Sequence, residues 1–250
     1  MKKRKSVLRA RVIPAILIVT VSVITLCIGY GWPFRILFEI ACVLAFIELA
    51  SLTHRVVGGV GRDKANWYRG WGYLLVIGGG LYVLFATQTE IALLFVCVWG
   101  ADAAGWLGGR LFGHRFFRTS PFPGISPNKT VEGTIAHLLA PILIFLIMWG
   151  LRLAAGHPLL GVVDVSLDQV YFACIGPLAL LGDLFCSMVK RAFGIKDSCD
   201  CASEKYTFYK KIKSFLGDHG GCLDRIDSVI FSGTILLILD WIYILWQTFL

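Results

Sequence analysis

A short segment near the carboxyl end, residues 219–227 (HGGCLDRID), concentrates side chains that could do chemistry. Asp224 and Asp227 are three residues apart, so a helix beginning here would place both carboxylates on one face. Gly220 and Gly221 lack side chains, so their backbone amides can approach a phosphate group closely. Carboxylates that can hold a hard divalent cation, next to groups that can hold phosphate oxygens, suit a metal–nucleoside triphosphate complex.

A second group of polar side chains lies in the segment 183–191 (DLFCSMVKR). Asp183, Ser187 and Lys190 are spaced by four and three residues, so a helix presents all three on one face. That face combines a carboxylate, a hydroxyl and an ammonium group. The same mixture of charges continues at Arg191, Lys196 and Asp197.

A third polar stretch, residues 126–133 (SPNKTVEG), leads into an apolar run. Pro127 disfavours helix at and before Ser126, so a turn is expected there. Lys129 then stands directly before the apolar run, where its ammonium group can bind a phosphate at the membrane surface. Together with the first two groups, it favours metal–phosphate chemistry over a solvated basic loop.

Asp102 and Asp183 fall within apolar segments, where an ionised carboxylate is costly. Near the centre of a bilayer that cost is roughly 2.5–3.5 kcal/mol, so such a residue needs a partner, a metal or a water-filled cavity. The small residues around Asp102, in WGADAAG, allow neighbouring helices to pack closely. Structural ion pairs between helices are the alternative explanation, and they are the favoured one for Glu39, Glu48 and Asp240.

The composition predicts a helical membrane protein that holds these groups in place. Of the 250 residues, 57% are hydrophobic and only 16% are charged, and the mean hydropathy is +0.73. Soluble domains carry about 25% charged residues. The apolar residues form blocks of the length that crosses a bilayer, roughly 20 residues. We predict an all-α, polytopic protein with about seven spans, at 12–31, 34–52, 71–87, 91–112, 132–150, 169–188 and 229–248.

The distribution of basic residues predicts the orientation. With the amino terminus in the cytoplasm, the cytoplasmic segments and adjoining helix ends hold 22 of the 24 Lys and Arg residues. Arg35 and Arg152 alone fall on the outer side. The net charge of +8 therefore fits topology and anionic lipid headgroups, and no nucleic-acid partner is expected. We expect one multi-pass domain, 1–250, in the cell inner membrane, with its active site facing the cytoplasm.

The polar stretches resemble the CDP-diacylglycerol synthases (phosphatidate cytidylyltransferases). The carboxyl-terminal signature of that family runs S-x-x-K-R, then K-D, then H-G-G-x-x-D-R-x-D. All of its named residues occur here in order, from Ser187 to Asp227. WGAD at 99–102 and SPNKTVEG at 126–133 resemble further family segments, so the resemblance covers roughly residues 95–250.

The resemblance implies a reaction and its cofactors. A cytidylyl group would pass from CTP to phosphatidate, giving CDP-diacylglycerol and pyrophosphate. The family's metal centre lies between two aspartates that match Asp183 and Asp224, so these are expected to bind Mg²⁺, with room for a second cation such as K⁺. The partners would be CTP, phosphatidate and membrane lipids, and the oligomeric state, a homodimer included, is left open.

The resemblance also assigns roles within the signature, residues 183–228. The catalytic candidates are Asp183, Lys190, Asp197, His219, Asp224 and Asp227. The substrate-binding candidates are Asp102, Ser126, Lys129, Ser187, Arg191, Lys196, Gly220, Gly221 and Arg225. Among these, Asp102, Asp197 and Asp227 would complete the metal shell or orient ligands, and His219 would bind a phosphate or donate a proton.

The chain departs from the family pattern between Asp197 and His219, which 21 residues separate. Extra residues therefore fall at about 199–213, and Lys210 and Lys211 stand where the family's K-D pair would lie without the insertion. Ser203 and the apolar spacing after it predict a basic amphipathic helix over 203–216 that attracts anionic lipid. A solvated loop is the alternative.

Two other functions remain compatible with the residues. A CTP-dependent polyprenol kinase would share the membrane setting and the metal–phosphate chemistry, but would transfer a γ-phosphoryl group. A transporter would also carry acids within the membrane, since these mark ion paths. Neither requires the full H-G-G-x-x-D-R-x-D block.

Overall fold

The computed structural model describes residues 31–52, 61–159, 163–209 and 221–249. Over these ranges the regular secondary structure is helical, apart from an isolated antiparallel bridge between Leu159 and Val163, and turns and loops join the helices. A 3-10 helix, Leu167–Cys174, leads into α5. The α-helices are α1 (Trp32–Ser51), α2 (Arg62–Phe85), α3 (Gln88–Phe112), α4 (Val131–Ala155), α5 (Ile175–Ala192), α6 (Cys199–Lys205) and α7 (Leu223–Phe249).

Four helical segments of the described chain are long and apolar enough to cross a membrane. They are α3, α4, the run Leu167–Ala192 and α7. The all-helical membrane class is thereby confirmed, and these helices match the last four predicted spans. The predicted spans 34–52 and 71–87 fall on α1 and α2, and α1 carries three charged residues among its 20. The predicted span 12–31 lies outside the described residues.

The described residues group into two compact units. The first unit comprises residues 31–52, 61–77, 188–209 and 221–226. The second comprises residues 78–159, 163–187 and 227–249. The single domain predicted from the sequence stays a prediction.

In the first unit, α1 buries one face. Phe34, Phe38, Cys42, Ala45 and Leu49 recur every three or four residues and are all buried. This spacing places them on one stripe of the helix, as expected for an amphipathic element. Helix α1 is therefore held by packing along this stripe.

The beginning of the insertion packs onto the same helix. Cys199, Ala202 and Tyr209 form a buried cluster together with Leu44 and Ile47 of α1. The Tyr209 hydroxyl donates a hydrogen bond to the carbonyl oxygen of Leu44. Burial raises the pKa of Tyr209, and the nearby Glu48 raises it further, so this hydroxyl keeps its proton.

The helix predicted over 203–216 is interrupted at Tyr206 in its described part, and residues 207–209 are helical again. Helix α6 begins at Cys199 and ends at Lys205, and Tyr206 is extended, with φ −122° and ψ 124°. The turn at Tyr206 directs Tyr209 against α1, because burial of that ring is available there. Lys210, Lys211 and Lys213 lie outside the described residues.

In the second unit, glycines bring α3 and α4 into backbone contact. A Cβ on Gly108 would overlap the Cβ of Ala136, and a Cβ on Gly133 would overlap the carbonyl oxygen of Gly105. Small residues at such crossings are typical of helix packing in membranes. The close approach brings the side chains at the ends of α3 and α4 to one site.

Candidate active site

The second unit contains a pocket of about 290 Å³ formed by α3, α4, α5 and the turn before α4. Its polar lining includes Asp102, Asn128, Lys129, Thr130, His137 and Asp183. Three of these, Asp102, Lys129 and Asp183, are site residues predicted from the sequence. The volume is near the lower end of the range for small-molecule sites, roughly 300–1,000 Å³.

Lys129 and Asp183 form an ion pair in this pocket. The Lys129 ammonium nitrogen lies 2.5 Å from Oδ2 of Asp183, and both side chains are partly exposed to the pocket. Two hydrogen bonds fix the turn that carries Lys129. The Lys129 N–H donates to the Ser126 carbonyl oxygen, and the Gly133 N–H in the first turn of α4 donates to the Thr130 hydroxyl. The turn predicted from Pro127 is thus present and presents the lysine to a carboxylate.

Asp102 faces a histidine that the sequence reasoning missed. Oδ1 of Asp102 lies 3.7 Å from Nδ1 of His137. His137 is only 5% exposed. His137 is four residues after Gly133, so it lies on the face of α4 that packs against α3. A histidine in an otherwise apolar helix, one turn after a contact glycine, was the signal that could have found it.

The donor set of the pocket fits Mg²⁺. The carboxylates of Asp102 and Asp183, the amide oxygen of Asn128 and the threonine hydroxyls are hard oxygen donors. Within the described ranges, no group of three or more His, Cys, Asp or Glu side chains could hold a metal by itself. Mg²⁺ commonly uses one or two carboxylates and takes its other ligands from phosphates and water, so two carboxylates suffice.

In the first unit, Asp224 is the centre of a second polar group. Lys190 donates to Oδ1 of Asp224 at 2.6 Å. Oδ2 lies within hydrogen-bond distance of the Ser198 amide at 2.9 Å, the Ser198 hydroxyl at 3.0 Å and the Gly221 amide at 2.9 Å. The structure therefore joins two predicted residues, Lys190 and Asp224, and both carboxylate oxygens of Asp224 have donors.

Glu48 joins this group from α1, far away in the sequence. Glu48 is fully buried, with 0% of the residue exposed. Oε1 accepts the Cys222 N–H at 2.9 Å, and Oε2 accepts the Leu223 N–H at 3.0 Å and the Ser198 hydroxyl at 2.6 Å. The Ser198 hydroxyl thus lies between the carboxylates of Glu48 and Asp224.

The contacts of Glu48 differ from the sequence expectation. The sequence favours a structural ion pair, whereas the donors found among the described residues are two backbone amides and a hydroxyl. Such donors are strong partners for a buried carboxylate. Glu48 therefore fixes the start of α7 and, through Ser198, the position of Asp224, and no spacing rule in the sequence pointed to this.

Gly221 has a structural role besides the phosphate contact predicted for it. The sequence suggests an amide that approaches a phosphate, but the Gly221 amide donates to Asp224. A Cβ on Gly221 would overlap the Ser198 hydroxyl and the Glu48 carboxylate. The missing side chain therefore allows two carboxylates to approach the backbone.

The other predicted residues of the first unit surround this group less closely. A guanidinium nitrogen of Arg191 donates to the Ile195 carbonyl at 3.3 Å, and Lys196 is exposed. Burial raises the pKa of Asp197, and Asp200 and Asp224 raise it further. Arg225 is half-buried beside Asp224. His219 and Gly220 lie outside the described residues.

Three predicted residues of the second unit have more local contacts. Oδ1 of Asp227 accepts the Ser228 N–H at 2.7 Å, and the carbonyl oxygen of Asp227 lies against Gly182, next to Asp183. Ser187 and Ser126 are half-buried, and the carbonyl oxygen of Ser126 also accepts the Ser120 hydroxyl.

The described fold is helical with four candidate membrane spans, and its two polar groups pair carboxylates with lysines. The model of the cytidylyltransferase family matches residues 71–243. The chain is 32% identical to the phosphatidate cytidylyltransferase of Helicobacter pylori over 80% of its own length. It therefore belongs to the cytidylyltransferase family.

Other relatives that are also named phosphatidate cytidylyltransferase show how much of such a protein the chain spans. The chain is 33% identical to the protein of Staphylococcus saprophyticus over 65% of its length, and 28% identical to that of Brucella suis over 86%. It spans 68% of the Helicobacter protein, 55% of the staphylococcal protein and 74% of the Brucella protein.

Proposed function

We propose that this protein transfers the cytidylyl group of CTP to phosphatidate, giving CDP-diacylglycerol and pyrophosphate. The observation that carries the proposal is the Lys129–Asp183 pair, which lies beside Asp102 in a pocket between candidate membrane-spanning helices. A lipid phosphate can reach such a site without leaving the membrane. The family match and the shared name of the relatives support the same reaction.

The reaction needs charge neutralisation more than covalent chemistry by the protein. A phosphate oxygen of phosphatidate attacks the α-phosphorus of CTP, and the bond from that phosphorus to pyrophosphate breaks. Lys129 and Lys190 are suited to bind phosphate oxygens, because each ammonium group is held at its place by a carboxylate. Preorganised charges of this kind commonly supply the largest part of catalysis.

Mg²⁺ is proposed as the cofactor, with Asp183 and Asp224 as its protein ligands and a second cation such as K⁺ beside it. When bound, the metal would act as a Lewis acid on phosphate oxygens. Asp102, Asp197 and Asp227 would complete the metal shell or orient ligands, and His219 would bind phosphate or donate a proton. Ser126, Ser187, Arg191, Lys196, Gly220, Gly221 and Arg225 remain the proposed substrate contacts.

The reaction is tested with purified protein, labelled CTP, phosphatidate and Mg²⁺ in detergent. We expect a CDP-lipid, identified by mass, together with pyrophosphate, and loss of both products when a chelator removes the metal. Release of CDP with a phosphorylated lipid would point to the kinase alternative. Solute flux without CTP turnover would point to the transporter. No observation favours either alternative over cytidylyl transfer.

The membrane arrangement is proposed as seven spans in the cell inner membrane, with the amino terminus and the active site in the cytoplasm. The 22-to-2 distribution of Lys and Arg supports it. Single cysteines at the exposed positions 128 and 205 should react with a membrane-impermeant reagent only after the cytoplasmic face is opened. Labelling of both positions in intact cells would contradict this orientation.

A further inference from the structure

The segment between Asp102 and Glu132 is entirely free of acidic residues. Residues 103–131 contain no Asp or Glu, but carry the cations Arg110, Arg115, Arg118 and Lys129. Five aromatic residues are interleaved with them, at Trp106, Phe112, Phe116, Phe117 and Phe122. This combination of cations and rings suits a negatively charged apolar partner rather than water alone.

The rings and cations of this segment lie at the surface of the second unit. Phe116 is 72% exposed, Phe117 is 49% exposed and Trp106 is 64% exposed. The side chains of Arg115 and Arg118 are also exposed. The guanidinium group of Arg110 lies 5.3 Å from the centre of the Trp106 ring, a cation–π distance.

The position of this segment in the chain places it at a membrane surface. Helix α3 ends at Phe112 and α4 begins at Val131, and both are candidate membrane spans. A loop that joins the ends of two such helices lies where hydrocarbon meets headgroups. Aromatic and basic side chains are enriched in that zone, because the rings enter the membrane boundary and the cations meet lipid phosphates.

Glu132 holds the loop in one conformation. Its carboxylate, in the first turn of α4, accepts the N–H groups of Phe116 at 2.9 Å, Phe117 at 3.0 Å and His114 at 3.3 Å. His114 has a φ of 63°, which is unfavourable for a residue with a side chain and persists where neighbouring contacts enforce it. Glu132 supplies those contacts, so Phe116 and Phe117 are presented in a fixed arrangement.

The surface is continuous with the pocket. Trp106, which stacks with Arg110, also lines the pocket, as do Gly109 and Lys129. A lipid phosphate bound at Arg110 would therefore lie beside a wall of the pocket that contains Lys129. This continuity distinguishes the loop from a general positive charge on the membrane face.

We propose that Arg110 and the segment 114–118, called here the interfacial loop, form a docking surface for the anionic phospholipids of the membrane and gather phosphatidate at the pocket. The identity of the lipid as phosphatidate rests on the proposed function. Attraction of anionic lipid by the loop does not, because it follows from the charge, exposure and position of the segment.

The kinetic test uses the double variant Arg115→Gln, Arg118→Gln in vesicles of phosphatidylcholine with increasing mole fractions of phosphatidate. Each basic residue near an anionic surface contributes about a five-fold preference. We expect the apparent KM for phosphatidate to rise by about 5- to 30-fold, with the KM for CTP and kcat unchanged. The matched control is the double variant Arg62→Gln, Lys64→Gln, which also changes two exposed basic residues. It should leave the KM for phosphatidate, the KM for CTP and kcat unchanged.

A second test does not depend on catalysis. A benzophenone amino acid at position 116 is irradiated in phosphatidylcholine vesicles that contain radiolabelled phosphatidate. We expect labelling above that seen with radiolabelled phosphatidylcholine, and loss of the excess in the double arginine variant. If the protein shows no transferase activity but is still labelled preferentially by phosphatidate, the docking surface is supported and only the proposed reaction is contradicted.

Two results would overturn the proposal. Equal labelling by the charged and the zwitterionic lipid would show that the loop does not select anionic headgroups. A raised KM for CTP in the arginine variant, with an unchanged KM for phosphatidate, would assign the arginines to the nucleotide instead.

Discussion

Asp183→Asn is expected to lower the rate of CDP-diacylglycerol formation by about 100- to 1000-fold, the usual effect of removing one charged contact at a reacting centre. Asparagine keeps the shape of the side chain, but it removes the negative charge that contacts Lys129 and that is proposed to bind Mg²⁺. Asp224→Asn should lose activity to a similar extent, since it removes the partner of Lys190. The rate is measured with labelled CTP under saturating phosphatidate.

Asp164→Asn provides a matched control for Asp183→Asn. Asp164 also pairs with a cation, Arg152 at 2.6 Å, but it is exposed and does not line the pocket. Its variant should retain activity within a few-fold of the unmodified protein. Equal retention by Asp183→Asn, in protein shown by size exclusion to be folded, would place the metal–phosphate chemistry elsewhere.

Glu48→Gln is expected to reduce kcat by about 10- to 100-fold, because displacing a reacting group by about 1 Å can cost a factor of this size. Glutamine has one oxygen acceptor and one NH₂ donor, whereas Glu48 uses both oxygens to accept hydrogen bonds. One backbone amide at the start of α7 would therefore face another donor. The displacement should reach Asp224 through Ser198, which contacts both carboxylates.

A positioning role for Glu48 can be separated from a merely structural one. A buried group without its partner costs about 1–3 kcal/mol of stability, so thermal unfolding is measured alongside kinetics. Glu39→Gln makes the same change on the same helix and should leave kcat unaltered. If Glu48→Gln loses stability but keeps kcat and both KM values, the positioning role is contradicted.

The sequence by itself determined the class of protein and most of the residues proposed for the site. Apolar blocks longer than a bilayer is thick require helices, because backbone amides in hydrocarbon must bond within their own segment. The order of the motif residues from Ser187 to Asp227 indicated the cytidylyltransferase family without any coordinates. Asp102 was found because a carboxylate within an apolar run is costly unless it has a role, and Lys129 because it stands directly before such a run.

Only the tertiary structure decided which of these groups touch and what holds them. Glu48 lies 150 residues before Ser198 and 174 before Cys222, and its partners are mostly backbone amides, which have no signature in the sequence. His137 and Gly221 acquire their meaning from neighbours on other elements. Tyr206 interrupts a helix that local spacing favours, because the interruption allows Tyr209 to be buried against α1. Hydropathy and spacing report periodicity along one segment, whereas these contacts depend on which segments meet, and packing alone determines that.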